Sequence, residues 1–424
     1  MRLIPLPLSG RTILNNLGGN LPEEDRAALK ALVLLGAFFF AAVAAAYFLT
    51  ISWSAPIPRD GTSLVVGRAY LNFWMYGRSA ATFDPGRFYD PALYNQELRA
   101  LLGPDYFGHV WSYPPSIMLI AAPFGQLPYL PGLFLWTAVG LATFVFVAGR
   151  RIADPRLLIP LVLSPAAIFC MISGQSSLFT AAILISIFAC LDKRPVIAGI
   201  LIGLLSIKPQ LGLLFPVLLV ASGRWRTFAA AASTTIAIAA LTAILFGPQV
   251  WIDFVQKGLP IQNELMVDDR MLLAPFMPTF FMNLRSAGVG YASAMVVQSC
   301  IAALAVAAVF WAYRFRRNAD PQLLAALFLA CSVAAVPYLL SYDLLPLTCA
   351  AVMVLAAGKL DALGRRLAQL VFWLLLIQMV LGTLHVPGPA LIAPAFAVYL
   401  LMRLRPGTAP GENRSPAIGN ALRA

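Results

Sequence analysis

The sequence has little of what a metal centre or a disulfide framework requires. It holds two histidines, His109 and His385, and no cluster of metal-ligating side chains, so no resident metal or other cofactor is expected. Its five cysteines, Cys170, Cys190, Cys300, Cys331 and Cys349, all lie inside apolar runs, where none can staple an exposed loop. Charge is scarce as well. Only 11% of the 424 residues are charged, against 60% hydrophobic, and the mean hydropathy is +0.80. A soluble fold cannot hide that much apolar surface, whereas a bilayer can serve as its solvent. The net charge of +12 raises the question of nucleic acid. Lys and Arg stand in short clusters between apolar runs instead of on one face, which argues against such a partner. The first thirty residues are polar, and no small-residue cleavage site follows the first apolar run, so that run is expected to stay as an anchor.

What is present is a series of apolar runs. Crossing ~30 Å of hydrocarbon takes about 20 residues of helix. The pattern predicts an all-α polytopic membrane protein with about ten spans, near 31–53, 131–149, 157–173, 177–191, 227–247, 290–313, 321–340, 344–358, 367–384 and 388–402. Segment 195–222 differs. Basic residues flank it (Lys193 and Arg194, Arg224 and Arg226), and Lys208-Pro209-Gln210 interrupts it. It reads as two half-length helices that enter and leave on one side, with Lys208 at their turn. With both termini inside, every short basic loop falls on the inner side, as the positive-inside rule requires. The expected organisation is a cytoplasmic segment 1–30, a transmembrane domain 31–403 and a disordered cytoplasmic tail 404–424. The expected location is an inner (plasma) membrane, with the active face turned outward. Two long outer loops follow, 54–115 and 248–289, and long loops on one face commonly carry function.

The candidate chemistry gathers on that face. In the first loop, Arg68-Ala69-Tyr70-Leu71-Asn72-Phe73-Trp74-Met75-Tyr76-Gly77 has apolar and aromatic positions suited to an amphipathic helix on the membrane surface. A plain aromatic belt would give the same pattern. Asp60, Asp84, Asp90, Trp111 and Tyr113 lie in the same loop. Gln175, in Gly174-Gln175-Ser176-Ser177, reads either as a simple turn or as an amide at the site. Lys208, followed by Gln210, is a cation at membrane depth, which is expensive and commonly functional. It suits a lipid phosphate, or else an internal pair with a carboxylate. Asp343, after Tyr342, is a second acid on the outer side, or else a helix cap.

These pieces resemble glycosyltransferase family 87, the group with the DUF2029 domain, within the GT-C class of membrane glycosyltransferases. The resemblance runs from about residue 60 to 360. It rests on the aromatic stretch ending at Gly77, Phe88-Tyr89-Asp90-Pro91, Tyr113-Pro114-Pro115 with Ala122-Pro123, Gly174-Gln175, Ala198-Gly199 with Lys208-Pro209-Gln210, and Tyr342-Asp343. It implies transfer of a hexose or pentose, mannose-like, from a polyprenyl-phosphate donor to a lipid-linked or glycan acceptor hydroxyl, with inversion and without a metal. It also implies an acid near the start of the loop helix as general base. Counting back from Gly77, that position falls on Ala69-Tyr70, and a methyl group accepts no proton. Asp60 is the first candidate to serve instead. Asp84 or Asp90 moved into place, or a chain with lost or altered activity, are the alternatives. The expected substrate contacts are Arg68, Asn72, Trp74, Tyr76, Asp90, Trp111, Tyr113, Gln175, Lys208, Gln210, Tyr342 and Asp343, with Arg270 a further cation for the phosphate. Membrane lipids are the remaining expected partner.

Two other classes stay open at this level. A lipid or sugar transporter would show paired broken helices in its two halves, and only 195–222 has that form. A catalytically silent glycolipid-binding member would fit Ala69.

Overall fold

A computed structural model describes residues 17–18, 21–106, 109–110, 112–152, 154–268 and 272–405. Most of the expected segment 1–30's beginning, nearly all of the tail, Trp111 and Arg270 lie outside them. The described chain is helical, and its only strand-like pairs are isolated bridges, Ser52 with Arg59 and Arg59 with Val65. Among the described residues, five helices are long and apolar enough to cross a membrane: Glu23–Thr50, Tyr129–Gly149, Trp225–Phe246, Tyr291–Phe315 and Ala362–Thr383. A sixth span arises if Pro155–Val162 and Pro165–Ser173, bent by 64°, count as one. The other apolar runs form helices of 10–17 residues, shorter than the ~20 a span needs.

Local chemistry sets where many of these helices begin. Ser164, Asp320 and Asp361 each cap a helix by accepting from backbone N–H groups of the first turn. Pro165, Pro195, Pro209 and Pro321 occupy first-turn positions, where the missing N–H costs nothing.

Segment 195–221 goes into the bundle and comes back. Pro195–Leu204 packs along Trp225–Phe246. A Cβ on Gly199 would meet Thr227 and Ala230, and one on Gly203 would meet Ala231 and Thr234. The contact numbers climb together, so these two helices run parallel. The return helix Phe215–Ala221 ends just before Trp225. Arg224 closes the base, with Nη1 donating to the Leu191 carbonyl at 3.0 Å and Nη2 paired with Asp192 at 2.6 Å. Lys208 (φ −135°, ψ 73°) breaks the helix at the tip, as its place before Pro209 predicts.

The helix at Arg68–Ser79 forms where the sequence places one, but it does not lie on a surface. Tyr70, Leu71, Phe73, Trp74, Met75, Tyr76 and Gly77 are all buried. It crosses the Met118–Gly125 helix so closely that a Cβ on Gly77 would stand 2.1 Å from the Ala121 carbonyl oxygen. Loop 54–115 therefore builds its own aromatic core on the end of the bundle. Phe73 stacks on Trp136 with ring centroids 4.9 Å apart, and Tyr76 meets Tyr89 edge-on at 5.2 Å.

Candidate functional site at the tip of the broken hairpin

Lys208 is 1% exposed, and its ammonium is satisfied by groups from distant parts of the chain. Nζ donates to Asp343 Oδ1 at 2.7 Å, and Ser177 Oγ and Gln175 Oε1 lie 3.4 Å away. Ser177 Oγ donates to the same Asp343 oxygen at 2.6 Å. The Tyr113 hydroxyl donates to Gln175 Oε1 at 3.3 Å. The rings of Tyr113 and Tyr342 stand 5.6 and 5.3 Å from Nζ, where their faces attract a cation.

Each of these groups comes from a break in regular structure. Gln175 follows Gly174, whose φ of +67° puts it in the left-handed region; a Cβ there would also reach 2.6 Å from Tyr70 Cβ. Ser177 opens the helix Ser177–Cys190, and Asp343 sits in the 3-10 turn Ser341–Leu344. Asp343 is thus an ion-pair partner and not a side-chain helix cap. In the sequence Ser177 reads as part of a turn. Its only signal is proximity to Gln175, because the residues it joins are 31 and 166 positions away. Gln210 is half-buried in the first turn after Lys208.

A second polar cluster sits at the start of the loop helix. Backbone bonds between Asp60 and Leu64, and between Pro58 and Val66, fold 58–66 into a tight turn. That turn returns Asp60 to the helix N-terminus. Asp60 Oδ2 pairs with Arg68 at 3.1 Å, and Oδ1 accepts from the Thr62 hydroxyl at 2.6 Å. Arg68 is the residue before Ala69. His109 stands close by, with Nε2 2.7 Å from the Tyr106 hydroxyl and its N–H on Asn95 Oδ1 at 3.0 Å. Burial first, and the Arg68 charge second, lower the His109 pKa to about 4, so it is neutral at physiological pH. Burial also pushes the Tyr106 phenol up to about 12.

The other expected contacts are used in packing the loop. Asn72 Oδ1 accepts from the Tyr94 hydroxyl at 2.5 Å, and Trp74 Nε1 donates to the Leu127 carbonyl at 2.8 Å. Tyr76 is buried among Phe88, Tyr89 and Tyr94. Asp90 caps Pro91–Leu102, with Oδ1 accepting from Ala92 and Leu93. Asp84 is exposed. Phe73, one turn beyond Ala69, meets Tyr113 edge-on at 5.5 Å.

The family model for glycosyltransferase family 87 matches residues 111–341, which include Tyr113, Gln175, Ser177, Lys208 and Gln210. Asp60, Arg68 and Ala69 precede the matched segment, and Tyr342 and Asp343 follow it directly. No curated protein and no solved structure matches the chain. The match spans more than half of the chain, over the segment that supplies Lys208, Ser177, Gln175 and Tyr113 to the buried lysine site, and this polytopic membrane protein belongs to glycosyltransferase family 87.

Proposed function

We propose that the chain moves a sugar from a polyprenyl-phosphate donor to an acceptor hydroxyl of a lipid-linked or other glycan, at the loop end of a bundle of about ten membrane crossings whose loop face is turned outward. The observation that carries this reading is the fully buried Lys208, at a hairpin tip inside the family-matching segment, where Asp343, Ser177 and Gln175 hold it. A cation at that depth is costly and is kept where a charged substrate must be met. Asp343 neutralises it in the resting protein. The donor phosphate gains negative charge as its bond to the sugar breaks, and the Lys208 ammonium, whose contacts with Ser177 and Gln175 are long at 3.4 Å and open to exchange, is the cation that stabilises it.

In this reading Asp60 is the general base. Its tight turn brings a carboxylate to the start of the loop helix, beside the position where the family acid is replaced by Ala69. The Asp60 carboxylate takes the acceptor hydroxyl proton, the acceptor oxygen attacks the anomeric carbon, and the bond from that carbon to the phosphate oxygen breaks with inversion. The products are the glycosylated acceptor and polyprenyl phosphate.

The test is transfer from a radiolabelled polyprenyl-phosphate sugar to lipids of a membrane extract, by the purified chain, Asp60→Asn and Ala69→Asp. The expected outcome is transfer by the chain as it stands and a loss of about 10²–10⁴-fold in Asp60→Asn. Transfer by the Ala69→Asp variant alone would mean that the natural chain is catalytically silent and that Asp60 does not replace the missing acid.

A further inference from the structure

The end of the bundle opposite Lys208 carries a second site. Helix Ser177–Cys190 starts at the Asp343 pair, and 189 lies about 18 Å further along its axis at 1.5 Å per residue. A cavity of about 420 Å³ opens there, lined by Arg150, Arg151, Ala189, Cys190, Lys193 and Arg194. All four basic side chains are exposed. The acids nearest to them in sequence are engaged elsewhere, Asp192 with Arg224 and Asp154 with Arg156. Arg150 is steered by stacking on Phe146 at 4.2 Å. Basic loops are ordinary at a membrane surface, but four cations around one concave space are a more specific arrangement.

A second cavity, of about 240 Å³, adjoins the first and shares Arg151 and Ala189 with it. Its walls are apolar side chains of three helices, among them Leu184, Phe188, Ala325, Leu329 and Ala350. From Pro321 to Leu329 it follows about 12 Å of helix. A cationic mouth that continues into an apolar cleft of this length matches an anionic head joined to a hydrocarbon chain. It does not match a free anion, which needs no cleft, or a neutral lipid, which needs no cations.

We propose that this is a binding site for one anionic phospholipid of the surrounding membrane, with its phosphate among Arg150, Arg151, Lys193 and Arg194 and the start of an acyl chain between the helices Ser177–Cys190, Pro321–Ala335 and Leu345–Ala356. The site is independent of the sugar-transfer reading, and its ligand is a structural lipid and not the donor. Because the same helix begins at Ser177 and ends at the basic cavity, an occupied cleft braces the element that positions the Asp343 pair.

Native mass spectrometry of the detergent-purified full chain tests this, with phosphatidylglycerol, phosphatidylcholine, a polyprenyl phosphate and inorganic phosphate as probes. The expected result is one retained phosphatidylglycerol in preference to phosphatidylcholine, not displaced by inorganic phosphate. The variant Arg151→Gln/Lys193→Gln/Arg194→Gln should weaken that binding about 100-fold. Ala325→Phe, which fills the cleft without altering charge, should weaken it as well. Arg314→Gln/Arg316→Gln/Arg317→Gln removes the same charge from another loop and should leave it unchanged. Equal weakening by both charge variants would reduce the site to diffuse surface charge and overturn the proposal. So would unaltered binding in Ala325→Phe, equal retention of phosphatidylcholine, displacement by inorganic phosphate, or preference for the polyprenyl phosphate.

Discussion

The Lys208–Asp343 and Asp60–Arg68 pairs use the same kind of chemistry in opposite settings. In the first, both side chains are essentially out of reach, at 1% and 3% exposure; in the second, Asp60 is at 3% but Arg68 at 36%. A pair with one open member is cheaper to break where the enclosed member keeps other donors, as Asp60 keeps the Thr62 hydroxyl and N–H. A pair with both members enclosed is expensive to break, because the survivor stays behind as an unpaired buried charge. The hairpin tip thus commits its two charges to each other, whereas Arg68 can leave Asp60 without stranding itself. That difference suits a fixed donor-side cation and a base that is released to take a proton.

The largest expected effect falls on the enclosed pair. Lys208→Met or Asp343→Leu alone should destabilise the fold by about 3–5 kcal/mol, read as a fall in thermal midpoint in detergent. The double variant Lys208→Met/Asp343→Asn leaves no lone charge and should recover most of that loss. A single variant as stable as the parent would show that the pair is open to water. Gly77→Ala comes next. Its added methyl would fall on backbone of the Met118–Gly125 helix, and overpacking of this kind costs about 1–3 kcal/mol or more. A thermal midpoint unchanged from the parent would contradict so close a crossing. Arg68→Gln should cost about 1–2 kcal/mol, less than the Lys208 variants because the Thr62 hydroxyl and N–H still hold the Asp60 carboxylate, so its thermal midpoint should stay closer to the parent's even where Asp60→Asn has lost transfer. A loss as large as that of the Lys208 variants would erase the contrast between the two pairs.

The smallest effect is on acid stability. The folded protein holds His109 at a pKa of about 4, below its ordinary 6.5. The unfolded chain therefore takes up a proton first. The stabilising contribution of neutral His109 is complete above about pH 6.5 and is lost as pH falls through about 4. His109→Gln should flatten the fall of the thermal midpoint across that window. An unchanged slope would assign the acid sensitivity to other groups.

Much of the frame was legible because it depends on neighbours in sequence. Pro and Asp mark helix starts, and basic flanks and Lys208-Pro209 mark the hairpin; Asp90, expected as a substrate contact, is instead a cap whose partners are two and three residues away. The loop helix was legible as a helix but not as a buried one. Its polar flanks resemble a surface helix, and only the crossing at Gly77 and Gly125 shows that another helix covers it. The pairing of Lys208 with Asp343 spans 135 residues, and nothing local distinguishes that carboxylate from a cap. The Asp60 turn is not legible for the related reason that backbone pairing, not side-chain pattern, returns Asp60 to the helix start. Span number is equally non-local. Helices of 10–17 apolar residues have the composition of spans without their length, and what covers their ends is decided by packing.

The most direct test of the central claim is sugar transfer by the Lys208→Met/Asp343→Asn double variant, after its fold has been checked by thermal midpoint. If the buried pair belongs to the transfer site, the variant is folded and transfers no sugar from the polyprenyl-phosphate donor. Transfer at the parent rate by the folded double variant would contradict that claim and leave the pair a purely structural contact.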